Sequence, residues 1–331
     1  MNIFYKNKQH TKNNENKYKI ISIILFVLFL VTNIYFIFIK KDNIIFNNYS
    51  FLNPTINLIK RENLIVNFQE LRTSLQSKYE NRDDYLVSIY FEYLPTGANI
   101  SVNKDEKIWP ASLIKIPVAM AAMKKVQDEK WKLNNELVIL DEDKDDEYGV
   151  LYKEPVGTTL SIKRVIEESL INSDNTAHFI LLRNLDNYEL EDVYNHLGLD
   201  EIINTLKRSP DQKSEDNRMT AKNYTIFFRS LYNATFLSKE YSQIFLNILE
   251  HAPKDYLSKG LPNDIVFVHK TGIRVDEDVK ADSGIVYAGE RPYLLTVMIQ
   301  KKKNKNVNGI EAEDIFKDIS EEVYNYVTKI H

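Results

Sequence analysis

Three short segments carry residue types at spacings that suit acyl transfer through a serine: Ser112-Leu113-Ile114-Lys115, Ser173-Asp174-Asn175 and Lys270-Thr271-Gly272. A serine hydroxyl is a weak nucleophile until a base within hydrogen-bond reach takes its proton. Ser112 and Lys115 are three apart, so on a helix their side chains share a face. A lysine buried beside a serine loses basicity through desolvation and can act as that base. Ser173 and Asn175 lie between two predicted helices, where a loop can project a hydroxyl and an amide into a cleft. Lys270 and Thr271 offer a positive charge and a hydroxyl to a carboxylate. Gly272 lets a substrate approach the strand backbone closely.

Each segment is ordinary by itself. Ser-x-x-Lys recurs at Ser101–Lys104 inside a predicted strand, where it looks accidental. Ser173-Asp174-Asn175 alone reads as a helix N-cap. Lys270-Thr271-Gly272 alone reads as a solvated strand end. In this order, at a helix start, an inter-helix loop and a strand end, the three together point to a covalent acyl-enzyme with no metal and no cofactor. The chain has no cysteine, which excludes a thiolate nucleophile, thiolate metal sites and disulfides. It has no His-Glu-x-x-His, and His10, His178, His196, His251, His269 and His331 show no ligand spacing. There is no Gly-x-Ser-x-Gly elbow, so His269 reads as a packing or edge residue rather than a base. A net charge of −4 gives no sign of a nucleic-acid partner.

The elements that must position these residues follow from periodicity. Leu64–Lys78 has helical spacing. Two strand-like runs follow, Tyr85–Leu94 and Asn99–Lys104, joined by Pro95-Thr96-Gly97. The middle is helical in pattern, clearest at Ile162–Ile171, Thr176–Leu185, Leu190–Leu197, Ala221–Tyr232 and Lys239–Leu249. Strand patterns return at Ile265–His269, Ser283–Ala288 and Tyr293–Gln300, before an amphipathic helix over 311–329. Two strands first and three last predict an α+β fold. A five-stranded antiparallel sheet would be flanked by the N- and C-terminal helices, with an all-helical lobe inserted. The acidic run Asp141–Glu147 reads as a solvated loop. Pro117 predicts an irregular first turn in the helix that carries Lys115.

Residues 20–39 form an apolar run broken only by Ser22, Thr32 and Asn33. At about 1.5 Å per residue such a run matches the ~30 Å hydrocarbon core of a bilayer. Lys6, Lys8, Lys12, Lys17 and Lys19 precede it and only Lys40 and Lys41 follow closely, which predicts a cytoplasmic N-terminus. A cleaved signal peptide is the competing reading. The run ends in Phe36-Ile37-Phe38-Ile39-Lys40-Lys41 with no small-residue cleavage pattern, which favours an uncleaved anchor. The expected organisation is a cytoplasmic tail over 1–19, a transmembrane helix over 20–39, a linker over 40–60 and an extracytoplasmic domain over 61–331.

Taken together, residues 61–331 resemble the class A β-lactamase-related serine hydrolases. The resemblance implies that Ser112 is the acylated nucleophile and Lys115 its proton acceptor. It implies that Ser173 relays a proton to the leaving nitrogen and that Asn175 contacts the substrate amide. It implies that Lys270 and Thr271 hold the substrate carboxylate, and that the backbone N–H groups of Ser112 and Ile273 form an oxyanion hole. The substrate would be a small-molecule β-lactam or a cell-wall peptide. One element departs from the family: no Glu-x-x-Leu-Asn occurs between 200 and 220. Arg208 falls near the Glu position, and Glu201, Asp211 and Glu215 lack the expected neighbours. Acylation of Ser112 is therefore expected, and the route of deacylation stays open. So do three functions: β-lactam hydrolysis, a D,D-peptidase-like or related cell-wall hydrolysis, and a non-catalytic sensor of such ligands.

Overall fold

The computed structural model describes residues 21–33, 51, 66–199, 218–303 and 311–329. The chain divides into two units, residues 1–48 and 49–331. In the first unit residues 21–33 are helical, with exposed side chains. Among the described residues no helix is long and apolar enough to cross a membrane. The remainder of the expected 20–39 span, and the tail over 1–19, lie outside the described residues.

The second unit is built on a sheet with strand order β2-β1-β7-β6-β5. Its strands are β1 (Tyr85–Tyr93), β2 (Ala98–Val102), β5 (Val266–Arg274), β6 (Val279–Tyr287) and β7 (Tyr293–Lys301). All neighbours run antiparallel. The short pair β3 (Glu136–Val138) and β4 (Thr159–Ser161) stands apart. Period-2 alternation sends Tyr293, Leu295, Val297 and Ile299 to one core and Leu294 and Met298 to the other. Strand β7 thus has core on both faces, which is why its sequence is a continuous apolar run.

Helices α1 (Gln69–Tyr79) and α8 (Ala312–Lys329) cover the first face through Leu71, Leu75, Ile315, Phe316, Ile319 and Val323. The opposite face meets the helical lobe. That lobe comprises α2 (Lys115–Gln127), α3 (Ile162–Leu170), α4 (Asn175–Arg183), α5 (Asn187–His196), α6 (Ala221–Asn233) and α7 (Lys239–Glu250). Helix α6 lies on the sheet. Thr225 Oγ1 and Ser283 Oγ both lie 2.6 Å from Thr296 Oγ1, and Arg229 pairs with the buried Glu92 of β1. These contacts satisfy the polar groups that the interface buries.

Three expectations change. The strand expected to stop at His269 continues to Arg274, because its residues pair with β6 throughout, Gly272 with Ala281 and Arg274 with Val279. Lys270-Thr271-Gly272 therefore sits within a strand rather than at its end. The acidic run is not simply solvated: Asp143 is fully buried, accepting from the Leu140 N–H and pairing with Arg183 at 2.8 Å. The compact unit also reaches back ahead of residue 61. Phe51 is buried in the main core, its N–H donates to Gln243 Oε1 at 2.9 Å, and its carbonyl accepts from the Tyr287 hydroxyl at 2.6 Å. Periodicity cannot reveal a single anchoring residue in a polar stretch. Phe51→Ala is expected to lower the stability of the catalytic unit by about 3 kcal/mol, read from a urea midpoint, because it empties a filled core position.

Candidate active site

Ser112 lies in a 3-10 turn, Ala111–Ile114, and helix α2 starts only at Lys115. Pro117 then occupies the first turn of α2, where its missing N–H leaves no intrahelical bond unmade. Ala111 has φ 49, a left-handed conformation that is costly for a residue with a Cβ. The turn persists because it is held from two sides. The Tyr224 hydroxyl of α6 donates to the Leu113 carbonyl, and β5 packs beneath. A Cβ on Gly272 would stand 3.0 Å from both the Pro110 carbonyl oxygen and the Ser112 nitrogen. Gly272 is therefore the residue that lets the edge strand come up against the backbone N–H of Ser112. Gly272→Val is expected to move that N–H and slow acylation about 10²-fold, measured as the rate of covalent labelling.

The second motif is set by its middle residue. Asp174 Oδ1 caps α4 by accepting from the Ala177 N–H, and Oδ2 accepts from the N–H groups of Val150 and Leu151. Those bonds fold the 148–151 segment against the motif, and the Asn175 N–H donates to the Tyr148 carbonyl at 2.9 Å. Ser173 has φ 53, so the loop places its hydroxyl inward through a second left-handed residue. Strained residues of this kind gather where geometry serves chemistry.

The three motifs converge on Ser173. Lys115 Nζ lies 3.2 Å from Ser112 Oγ, 3.2 Å from Ser173 Oγ, 2.5 Å from the Ser173 carbonyl and 2.6 Å from Asn175 Oδ1. Lys270 Nζ donates to Ser173 Oγ at 3.0 Å and to the Thr271 carbonyl at 3.0 Å. One hydroxyl thus stands between two ammonium groups, each only 2% exposed. Burial pushes Lys115 down to about 8, against the opposing pull of Asp174 and Asp145. Burial, reinforced by the charge on Lys115 and opposed by Asp282, pushes Lys270 down to about 7. A carboxylate arriving at Lys270 would restore its charge, so the second lysine suits anion binding and the first suits proton abstraction.

Thr271 is half-buried beside Lys270, and Ile273 is 38% exposed on the edge strand. The eight candidate residues therefore come from a few segments: Ser112 from the 3-10 turn, Lys115 from the start of α2, Ser173 from the α3–α4 loop, Asn175 from the start of α4, and Lys270, Thr271, Gly272 and Ile273 from β5. Glu201, Arg208, Asp211 and Glu215 lie outside the described residues. Among the described residues no group of His, Asp and Glu is arranged to hold a metal ion.

Sequence reasoning missed one feature of the site. Asp145 Oδ1 accepts from Asn175 Nδ2 at 2.8 Å, placing a carboxylate one hydrogen bond from the site. Its membership of an acidic run concealed that. His269, on the face of β5 opposite Lys270 and Gly272, is buried in keeping with its reading as a packing residue, with Nδ1 2.8 Å from Asp282 Oδ1 and Nε2 3.3 Å from Ser258 Oγ. In this Ser–His–Asp row His269 and Asp282 are both buried, His269 at 1% and Asp282 at 0% exposure, which closes them to a substrate. Its buried carboxylate, with its pKa raised by burial, also accepts from the Leu257 N–H, which makes it a brace behind Lys270.

Comparison with known proteins agrees with this geometry. The family model described as "Beta-lactamase enzyme family" matches residues 69–327. The β-lactamase VEB-1 of Pseudomonas aeruginosa is 23% identical over 246 residues, covering 69% of this chain and 80% of that protein. Among solved structures, PBP-A superposes with a TM-score of 0.68 at 23% identity, covering 78% of this chain and 95% of PBP-A. A β-lactamase from Sphaerobacter thermophilus gives 0.69 at 20% identity, covering 79% and 98%.

Proposed function

The chain belongs to the β-lactamase enzyme family and is a serine hydrolase, and from that premise we propose that Ser112 forms an acyl-enzyme with β-lactams. Neutral Lys115 takes the Ser112 proton as Oγ attacks the lactam carbonyl carbon. The oxyanion meets the Ser112 and Ile273 N–H groups. As the C–N bond breaks, Ser173 passes its proton to the departing nitrogen and is reprotonated from the Lys115 ammonium. Lys270 and Thr271 bind the substrate carboxylate, and Asn175 the acyl amide. The observation that carries this reading is the single amine, Lys115 Nζ, within 3.2 Å of both Ser112 Oγ and Ser173 Oγ. A proton can pass between the two hydroxyls through one nitrogen.

A second reading is a D,D-peptidase-like enzyme, or another cell-wall hydrolase that deacylates slowly. It is favoured by the missing Glu-x-x-Leu-Asn. Penicillin G is held as an acyl-enzyme in a solved structure of a PBP-A mutant with the same fold, TM-score 0.68. Full-length protein in detergent, given a chromogenic cephalosporin and a fluorescent penicillin, separates the two. Fast multiple turnover supports β-lactam hydrolysis. A long-lived adduct without turnover supports the peptidase-like reading. Folded protein with neither outcome removes both.

The same proposal places residues 20–39 in the cell membrane as an uncleaved anchor, with the N-terminus cytoplasmic and the hydrolase outside. The apolar run, its lysine-rich N-terminal flank and the helix over 21–33 support it. Release of the full-length chain from membranes by alkaline carbonate would contradict it.

A further inference from the structure

The amide of Asn175 is bridged on both sides. Its Oδ1 accepts from Lys115 Nζ at 2.6 Å, and its Nδ2 donates to Asp145 Oδ1 at 2.8 Å. These two partners admit only one orientation of the amide, and that orientation leaves the second Nδ2 hydrogen for an incoming carbonyl. Asp145 is itself fixed. Its Oδ1 also accepts from the Glu147 N–H at 3.0 Å, and its own N–H and carbonyl bond the Thr176 hydroxyl. Its Oδ2 has no hydrogen-bond partner among the described residues, and no Lys, Arg or His nitrogen of those residues lies within 4.0 Å of the carboxylate. The charge is felt in the site, since it holds the basicity of Lys115 up against burial.

We propose that Asp145 is a specificity residue that selects acyl donors carrying a protonated amine beside the acyl amide. This rests on the acyl-enzyme reading above. A substrate whose amide carbonyl takes the free Nδ2 hydrogen sets its acyl substituent next to the unpaired oxygen of Asp145. A cationic amine there gains a charge-assisted hydrogen bond, which an apolar or anionic substituent cannot make. The cation could belong to an aminopenicillin or to a cell-wall peptide with a free amine, since both present the same group.

The test uses the full-length chain and two matched pairs of acyl donors. The first pair is ampicillin and its N-acetyl derivative. The second is an L-alanyl-D-alanyl-D-alanine peptide with its α-amine, next to the acyl amide, free or acetylated. The second-order rate of Ser112 acylation is expected to be about ten-fold higher for the free amine in at least one pair, and the pair that shows it identifies the source. In Asp145→Asn, which keeps an oxygen for Asn175 Nδ2, that ratio is expected to fall to near one. A purely structural role would change both members of a pair alike and leave the ratio intact. Acylation by both members at equal rates in the unaltered protein, or an unchanged ratio in Asp145→Asn, would overturn the proposal. Failure of all four compounds to acylate Ser112 would instead overturn the acyl-enzyme reading beneath it.

Discussion

Replacing Ser112 by alanine is expected to abolish the covalent adduct and to lower any β-lactam turnover by about 10⁴-fold or more, since a lost nucleophile removes the acyl-enzyme route altogether. The protein should otherwise be intact. Ser112 is half-buried, and of the contacts around it only the one to Lys115 Nζ at 3.2 Å is lost. Lys115 keeps the Ser173 carbonyl and Asn175 Oδ1, so no buried charge is left unpaired. The unfolding free energy should therefore stay within about 1 kcal/mol of the parent, since alanine keeps the Cβ and the backbone of the turn and removes one hydroxyl. Non-covalent binding of the substrate carboxylate by Lys270 should survive. Intact-protein mass spectrometry after exposure to penicillin G checks the first point. A penicilloyl mass shift that persists in Ser112→Ala would place the nucleophile elsewhere.

The nucleophile was readable from the chain because its motif is local: two residues three apart, opened by Pro110. The sheet was readable for the same reason, since the apolar and aromatic runs of β1 and β7 are a property of consecutive residues. What escaped is what depends on distant partners. The length of β5 depends on pairing with β6, so Lys270-Thr271-Gly272 was placed at a strand end instead of inside a strand. Asp143 and Asp145 lie in one acidic run with Asp141 and Glu147, and composition treats them alike. Only the fold reveals that Arg183 buries one and Asn175 engages another. Phe51 is an isolated aromatic whose socket is made by Gln243 and Tyr287, far along the chain. Gly272 was singled out from the sequence for close backbone approach, and the structure shows that its neighbour is the Ser112 turn.

Replacing Lys115 by methionine is expected to slow acylation about 10³-fold, the loss typical of a positioned general base. The unaltered enzyme carries its own control, because only neutral Lys115 can take the Ser112 proton. With that lysine depressed to about 8, acylation should rise as pH climbs through 8 and level off above it. Lys270 shares the Ser173 hydroxyl with Lys115, so the apparent midpoint belongs to the pair rather than to one residue. A substrate carboxylate keeps Lys270 charged and leaves Lys115 to set the slope. In Lys115→Met the residual rate should lose that dependence. Stability gives an independent check, and its sign follows from linkage. The unfolded chain holds the Lys115 proton up to the ordinary value of 10.5, whereas the folded protein releases it near 8. Between those limits the unfolded state binds more protons, so this lysine makes the native protein more stable as pH rises from about 8 to 10.5. Methionine removes that slope. It also removes a costly buried charge while leaving the Ser173 carbonyl and Asn175 Oδ1 without a donor, two effects that oppose each other at neutral pH. The activity should therefore collapse while the midpoint at pH 7 moves little. An acylation rate that keeps its rise through pH 8 in Lys115→Met would assign the proton transfer to another group.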